Sequence, residues 1–496
     1  MFKRILFGAL ALLIGVQPCF AQFPGNGGKF NKGVYTVDYF STGRFNSQSL
    51  LNRLKNVGGG GGGNGGLTFF KDFRGKTANL DADFSVGSGL DTFTRNNVAR
   101  SCVNAGGVID KITTANVWCN QGGYYDTTGF HSQGGLMIEA AGTNLLTRTD
   151  GTAYAAGLWT GWTQFTTGTI GGTVTKTNSA ITDLTSISGA TSQRIQYTGI
   201  AGDNGRVYVE GTRTASGTVV NGNVVTVSLW ARSQTGHSGI ALNWPIDFQD
   251  AAGANLNFEN WNPGTLSTQW RRYSQSFTAT DASTDRISVA FGSNASQIQV
   301  GESFDQEIYG VNFEIAPYAT SWVPTTTAAL TRGAEVLSYP LLSNRTEATE
   351  TIFIRFAPES DFANDGIIRK LTTTDTKERA IQKTSTGDII FSQPNATDTA
   401  TAGASSTTIP AANTSYVSAS VFKHSSPYVE VYVNGVSQAT DTTPDFTDPV
   451  WGTYWYLGAD TGGAKQLNGI VEAVAIFGRS LSSSEILYVS NLLNSN

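Results

Sequence analysis

Cysteine, histidine and methionine are scarce in this chain. Its 496 residues include three cysteines, three histidines and two methionines. His131, His237 and His424 stand far apart, and no cysteine or histidine pair falls at zinc-ligand spacing, so a zinc centre has no support. A serine hydrolase lacks its G-x-S-x-G elbow. Charge is thin as well: 14% of residues are charged and the net charge is −5. That balance argues against nucleic acid, whose recognition needs a basic face. Neutral glycans or protein surfaces are more natural partners. Beyond the first residues, no apolar run is long enough to cross a bilayer.

Those first residues, "MFKRILFGALALLIGVQPCFAQF", have the layout of a secretory signal. Lys3 and Arg4 form a basic end, Ile5 to Val16 an apolar core too short to span a bilayer, and Cys19 and Ala21 the small residues before a cut after Ala21. Removing residues 1–21 leaves Cys102 and Cys119. In an oxidising compartment they could bond, a closure worth about 3 kcal/mol. In a cytosolic one they would stay as thiols.

What is abundant is glycine, with 57 residues, beside many Thr, Ser and Asn. That composition favours strands and turns. Residues 22–66 read as an arm with one short helix, "NSQSLLNRLK", capped by Asn46, followed by the flexible linker "GGGGGGNGG". No GK[ST] follows these glycines, which excludes a phosphate loop. Period-two alternation then dominates: "VVTVSLW" (224–230), "RISVAF" (286–291), "IYGVNFEI" (308–315), "TIFIRF" (351–356) and "YVEVYV" (428–433). The expected class is all-β, with two tandem β-sandwiches. Polar "SNRTEATE" after "VLSYPLL" marks a boundary near residue 338. One terminal helix is well signalled, with Ser482 and Glu485 as a capping box and Leu481 and Ile486 as a staple.

Two carboxylate settings invite a catalytic reading. "ESFDQE", Glu302 to Glu307, superficially matches the E-x-D-x-x-E cluster of sandwich glycosidases, but its spacing places Glu302 and Asp305 on opposite strand faces. A solvated loop leading into the next strand is the expectation there. In "GGLMIEAAGTNLL", 134–146, Glu139 ends an apolar run and is either an acid or a structural carboxylate. It has no carboxylate partner in register. Two "TR" corners, Thr94-Arg95 and Thr331-Arg332, flank the first sandwich. The expectation is a clasp in which Glu139 pairs with Arg95 or Arg332. For binding, Trp159, Trp162, Trp244 and Trp261 lie near Gly, Asn and Pro turns and are the candidates for a glycan platform, with a place in the core as the alternative.

Several segments, taken together, resemble a module of bacteriophage spike and fibre proteins. They are "NLDADFSVGSGLDTFTRNNVARSCVNAGGVIDKITTANVW" (79–118), "GGLMIEAAGTNLL" and "YATSWVPTTTAALTRGAEVLS" (318–338). The resemblance covers residues 67–338 and implies a connector over 67–146 and a jelly roll, like a carbohydrate-binding module, over 147–338. Residues 339–496, with "VEVYVNGVSQ" and "YLGADTGGAKQLNGIVEAVAIFGRSLSSSEI", resemble a laminin-G/concanavalin-like lectin sandwich. Glu472 and Ala473 stand where that family has Asp and Glu, so its calcium and glycan sites are not carried over.

The resemblance implies a non-enzymatic attachment protein of a phage virion, a spike, fibre or capsid-decorating component, that contacts host-surface polysaccharide. Partners would be cell-surface glycans, and other virion or surface proteins through the arm; spike-like proteins are often trimers. No cofactor is implied, with Ca2+ in a sandwich domain left open. The export signal agrees with a virion or extracellular location and equally with a secreted bacterial adhesin. A glycan-cleaving enzyme is the third reading.

Overall fold

The structure, a computed structural model, describes residues 47–57, 66–74, 92–95, 100–112 and 120–495, apart from 201, 212, 237–240, 294–301, 341–348, 359–365, 373–377, 384–387, 395–400, 409–410, 412, 424–425, 427, 443–450 and 459–465. The signal-like residues 1–21, the arm up to Asn46, most of the glycine linker, Cys119, His237 and His424 lie outside the described residues.

Alternation of apolar and polar residues produces strands almost everywhere, and the chain is all-β with two β-sandwiches in tandem. The first has two five-stranded antiparallel sheets. One runs Thr163–Thr169, Asn204–Glu210, Arg286–Ser293, Leu242–Gln249, Asn255–Trp261. The other runs Thr173–Ala180, Thr191–Thr198, Ser303–Glu314, Val224–Arg232, Arg271–Thr278. Val207, Val209, Trp244, Ile246, Val289 and Phe291 from the first sheet and Ile195, Val225, Val227, Leu229 and Ile308 from the second share one core.

Gly310 shows how tightly that core is built. It sits at φ +62° opposite a register slip between Ser228 and Trp230. A Cβ there would come within 2.6 Å of the Trp230 ring, so only glycine fits this bulge.

The second sandwich draws strands from both ends of the chain. Its strand Gly469–Phe477 pairs with Glu350–Pro358 on one edge. On the other edge it pairs with Leu67–Asp72 and, farther along, with Phe130–Ile138. Thr92–Arg95 and Glu335–Pro340 join the facing sheet. Of the connector expected over 67–146, the strands Leu67–Asp72, Thr92–Arg95, Asn120–Tyr125 and Phe130–Ile138 therefore belong to the sheets of this sandwich. The connector's hairpin Arg100–Val103 with Ile109–Ile112 also lends Val103 and Ile109 to the jelly-roll core.

Helix α1, Ser47–Lys55, and helix α2, Ser483–Asn494, cover the outer face of one sheet. Leu50, Leu51 and Leu54 of α1 and Ile486, Val489 and Leu493 of α2 are buried there against Phe353 and Phe477. The Ser482–Glu485 capping box closes α2 as its local sequence dictates.

"ESFDQE" requires a correction. It is the start of the long strand Ser303–Glu314 rather than a solvated loop, and Asp305 and Glu307 are buried. Burial is tolerated because each carboxylate has cationic partners. Arg194 holds Asp305 through two bonds of 2.8 and 3.0 Å, and Arg232 holds Glu307 at 2.7 Å. These carboxylates stabilise a sheet; their hydrogen-bonding capacity is spent inside the protein.

Candidate functional site

The four tryptophans proposed as a glycan platform also need correcting. Trp159 and Trp244 are fully buried, and Trp162 and Trp261 nearly so. Trp159 packs edge-on against Trp162 at 5.0 Å, and Trp244 against Trp261 at 4.8 Å. Their indole faces are filled by core neighbours, so no sugar ring can stack on them. Trp244 even spends its N–H on Gln306 Oε1, at 3.0 Å. The cause is strand alternation: in "LNWPIDFQ" the residues Trp244, Ile246 and Phe248 point inward, and Asn243, Asp247 and Gln249 point to the other face.

That other face is the candidate site. Across the sheet, Phe165 pairs with Tyr208, Tyr208 with Gly292, and Gly292 with Asn243. Further along, Glu210 pairs with Ala290, and Asp247 pairs with Ser288 on one side and Phe258 on the other. The central strand thus contributes Arg286 at its start, beside Gln249, and then only the small residues Ser288, Ala290 and Gly292 to this face, and larger side chains on the flanking strands wall a trough. Gly292 permits it: a Cβ there would lie 2.0 Å from the Val207 carbonyl oxygen and 2.8 Å from the Tyr208 ring.

The Arg206 guanidinium, on the second strand, stands 5.6 Å from the centroid of Phe258, on the fifth, so it reaches across the face. Phe165, 46% exposed, stacks on Tyr208 at 6.4 Å and forms an open aromatic ledge at the trough's edge.

The polar atoms in the trough are unusual for buried groups. Asp247 Oδ1 and Gln249 Oε1 are sealed from solvent and have no hydrogen-bond partner, and the same holds for Nε of Arg286, which pairs with Gln249 across the sheet; Tyr208 and Asn243 hydrogen-bond each other through their side chains. Buried polar groups are normally paired, and unpaired atoms gathered on one face point to a ligand or to water. Burial pushes the Asp247 carboxyl up to about 6, with help from the charge of Glu210; Arg213 and Arg206 oppose the shift. Burial likewise raises the Tyr208 phenol to about 12.

A second polar cluster lies where the chain passes between the sandwiches. Glu139 is buried, and its carboxylate accepts from Arg332 at 2.8 Å, faces Arg100 at 3.0 Å, and accepts from the backbone and hydroxyl of Ser321. Arg100 also pairs with buried Glu335. Burial pushes the Glu139 carboxyl up, but the two arginines and Ser321 outweigh it and hold it below the usual range. Arg332 is thus one arm of the clasp. Arg95 sits in register with Glu335 through its backbone, and its side chain lies outside the described residues. Arg100, which the sequence did not single out, is the other arm.

The rest of "GGLMIEAAGTNLL" serves the same crossing. Leu136, Met137 and Ile138 are buried in strand Phe130–Ile138. A Cβ at Gly142 would lie 2.3 Å from Glu314. Asn144 donates to the carbonyls of Val311 and Val323, at 3.0 and 2.8 Å. Cys102 is disulfide-bonded. Among the described residues, no group of three or more His, Cys, Asp or Glu side chains could hold a metal ion, and no helix is long and apolar enough to cross a membrane.

Comparison with known proteins bears on the second sandwich. Residues 331–487 match the family described as the concanavalin A-like lectin/glucanases superfamily. No curated protein matches the chain. Solved structures give only partial overlaps. The enzymatically active domain of bacteriophage CBA120 tailspike protein 4 is 17% identical, over 35% of this chain and 21% of that one, with a TM-score of 0.26. The Ruminococcus gnavus IT-sialidase CBM40 bound to α2,3-sialyllactose is 17% identical, over 29% and 82%, with a TM-score of 0.27. The binding domain of botulinum neurotoxin DC in complex with rat synaptotagmin II is 13% identical, over 32% and 40%, with a TM-score of 0.27. The chain spans about a fifth of the tailspike it overlaps. Overlaps this weak carry no argument about the site.

Proposed function

We propose that this chain is a non-enzymatic glycan-binding attachment protein, carried on a virion as a spike, fibre or capsid-decorating component. The observation that carries glycan recognition is the trough: an exposed aromatic ledge beside buried polar atoms that lack partners. A sugar offers an apolar ring face to Phe165 and hydroxyls to the polar floor. The lectin-family match over 331–487 supports a second sandwich suited to the same ligand class. Multiple copies would compensate for weak single sites. Residues 22–66 would tether the protein to other virion or surface proteins, at a virion surface or outside the cell.

The test is retention of residues 22–496 on arrayed cell-surface polysaccharides, with Phe165→Ala and Asn243→Leu as trough variants. Retention that both variants lose, at unchanged thermal stability, supports the reading. Failure of the parent protein to bind any polysaccharide ends it.

Two other readings each rest on an observation. The signal-like residues 1–21 favour a secreted bacterial adhesin, and polysaccharide-use genes rather than capsid and tail genes beside the coding sequence would establish it. Asp247 near pH 6 beside the charge of Glu210 has the character of a glycosidase acid with its companion carboxylate. Release of new reducing ends from a bound polysaccharide would make the chain an enzyme.

A further inference from the structure

Arg206 crosses the trough with little to hold it there. Its guanidinium lies over the Phe258 ring, 5.6 Å from the centroid. Arg206 is exposed, and among the described residues its side chain makes no hydrogen bond and no ion pair. The charge of Asp247 attracts it, but through no direct bond.

Other arginines that lie over rings are anchored. Arg232 stands over Trp270 at 4.4 Å, and Glu307 and Asp183 each hold it at 2.7 Å. Arg272 stands over Trp230 at 5.2 Å and donates to the Thr320 carbonyl. Trp270 and Trp230 are themselves buried, so those contacts belong to the core. Phe258 is only half-buried, and it pairs with Asp247, which places it on the trough side of the sheet. An exposed contact between a cation and a ring is worth a factor of only about 2–5 in an equilibrium.

A sugar ring lies flat over an aromatic face much as a guanidinium does, so the two compete for one surface. Beside Phe258 stands Asp247, whose Oδ1 has no hydrogen-bond partner. A sugar hydroxyl can donate to it. Ring face and acceptor thus stand together on the fourth and fifth strands, at the opposite edge of the sheet from Phe165 on the first.

We propose that Phe258 is a second sugar platform of the trough, closed by Arg206 in this structure, and that a glycan opens it by displacing the guanidinium. This step rests on the trough being the glycan site. Phe165 and Phe258 then engage separate units of one chain, so the ligand is an oligosaccharide or polysaccharide rather than a single sugar. Displacing the cover weakens binding by that same factor of about 2–5.

The experiment is calorimetric titration of residues 22–496 with three probes: cellohexaose, maltohexaose and chitohexaose. Arg206→Ala should tighten a bound probe about 2–5-fold. Phe258→Leu keeps apolar bulk without the ring and should weaken it about fivefold. Phe258→Tyr keeps the ring and should bind like the parent. In the Phe258→Leu background, Arg206→Ala should change nothing, since no ring is left to uncover. Thermal unfolding checks that each variant is folded; should the leucine variant be unstable, Arg206→Ala in the parent and in Phe258→Tyr decides.

Unchanged or weaker binding by Arg206→Ala overturns the proposal, the weaker case making Arg206 a ligand contact instead of a cover. Tightening that persists without the ring also overturns it, since Arg206 would then act through Asp247. If Phe165→Ala lowers binding and Phe258→Leu does not, the second platform fails and the trough reading stands. If a probe binds and neither variant affects it, the trough reading fails and this proposal with it. If none of the three probes binds, the proposal is overturned.

Discussion

Replacing Glu139 by glutamine removes one negative charge from a cluster that solvent does not reach. Five buried ionisable side chains meet there: Glu335, Arg100, Glu139 and Arg332 alternate in sign, and Glu314 faces both Arg332 and Glu139. Breaking a buried, hydrogen-bonded ion pair by removing one partner costs about 3–5 kcal/mol, because the remaining charge stays buried without compensation. Here the lower end applies. Arg100 keeps Glu335, and Arg332 keeps the Ala140 carbonyl at 2.6 Å and the Ser321 hydroxyl at 2.7 Å. A loss of about 3 kcal/mol corresponds to a fall in melting temperature of roughly 6–12 °C for a cooperative unit this large. Thermal unfolding followed by near-ultraviolet circular dichroism at pH 7.5 measures it. Glycan retention below the transition should be unchanged, since the clasp is separate from the trough.

The pH dependence supplies a second check. The folded-state value of Glu139 lies below its unfolded one, so its contribution is complete above the unfolded carboxylate range and is lost as pH falls through the folded value. The gap between parent and Glu139→Gln should shrink in acid. A melting temperature within about 2 °C of the parent at pH 7.5, or a gap that is constant down to strongly acidic pH, would refute the clasp.

Three further outcomes follow from the same structure. Trp244→Ala should lose about 3–5 kcal/mol of stability by opening a core cavity, while Phe165→Ala should barely move the unfolding midpoint and should lose glycan retention. Asp247→Asn should stabilise the protein at pH 7.5 and have no effect below about pH 4, because the folded chain holds this proton where an unfolded aspartate, near 3.8, has released it. A move to about 6 would be worth ~3 kcal/mol in a sequestered site, and screening at this half-buried one reduces it to about 1 kcal/mol. Ser482→Ala should cost about 1 kcal/mol by removing the cap of α2, measured as a denaturant midpoint shift with unchanged slope.

Local physics made part of this structure legible in advance. Alternation in "VVTVSLW" and "RISVAF" specifies strands, and Ser482 with Glu485 specifies a helix start, because each signal lies within a few residues of what it controls. Glu139 could be read as structural because no carboxylate stood in register with it. Its second arginine could not be found that way. Arg100 approaches only because strand Arg100–Val103 and strand Glu335–Pro340 pack at one crossing, and nothing near it in sequence marks that long-range encounter.

The trough was hidden for a related reason. Its walls come from Tyr208, Asn243 and Asp247 on two strands that do not touch, and the strand between them separates them with Ser288, Ala290 and Gly292. A signal does exist in "RISVAFGS": large residues at 287, 289 and 291 alternate with small ones at 288, 290 and 292. Small residues on one face of a central strand are informative only when the pairing order is known, since the same pattern on an edge strand makes no groove. The tryptophans drew attention instead because they are large and sit near turns. Yet the size that makes an indole a good sugar platform also makes it the best filler for a core. Alternation decides between the two uses, and Asn243-Trp244-Pro245 already assigned them: whichever face received the tryptophan, the polar neighbours had to line the other.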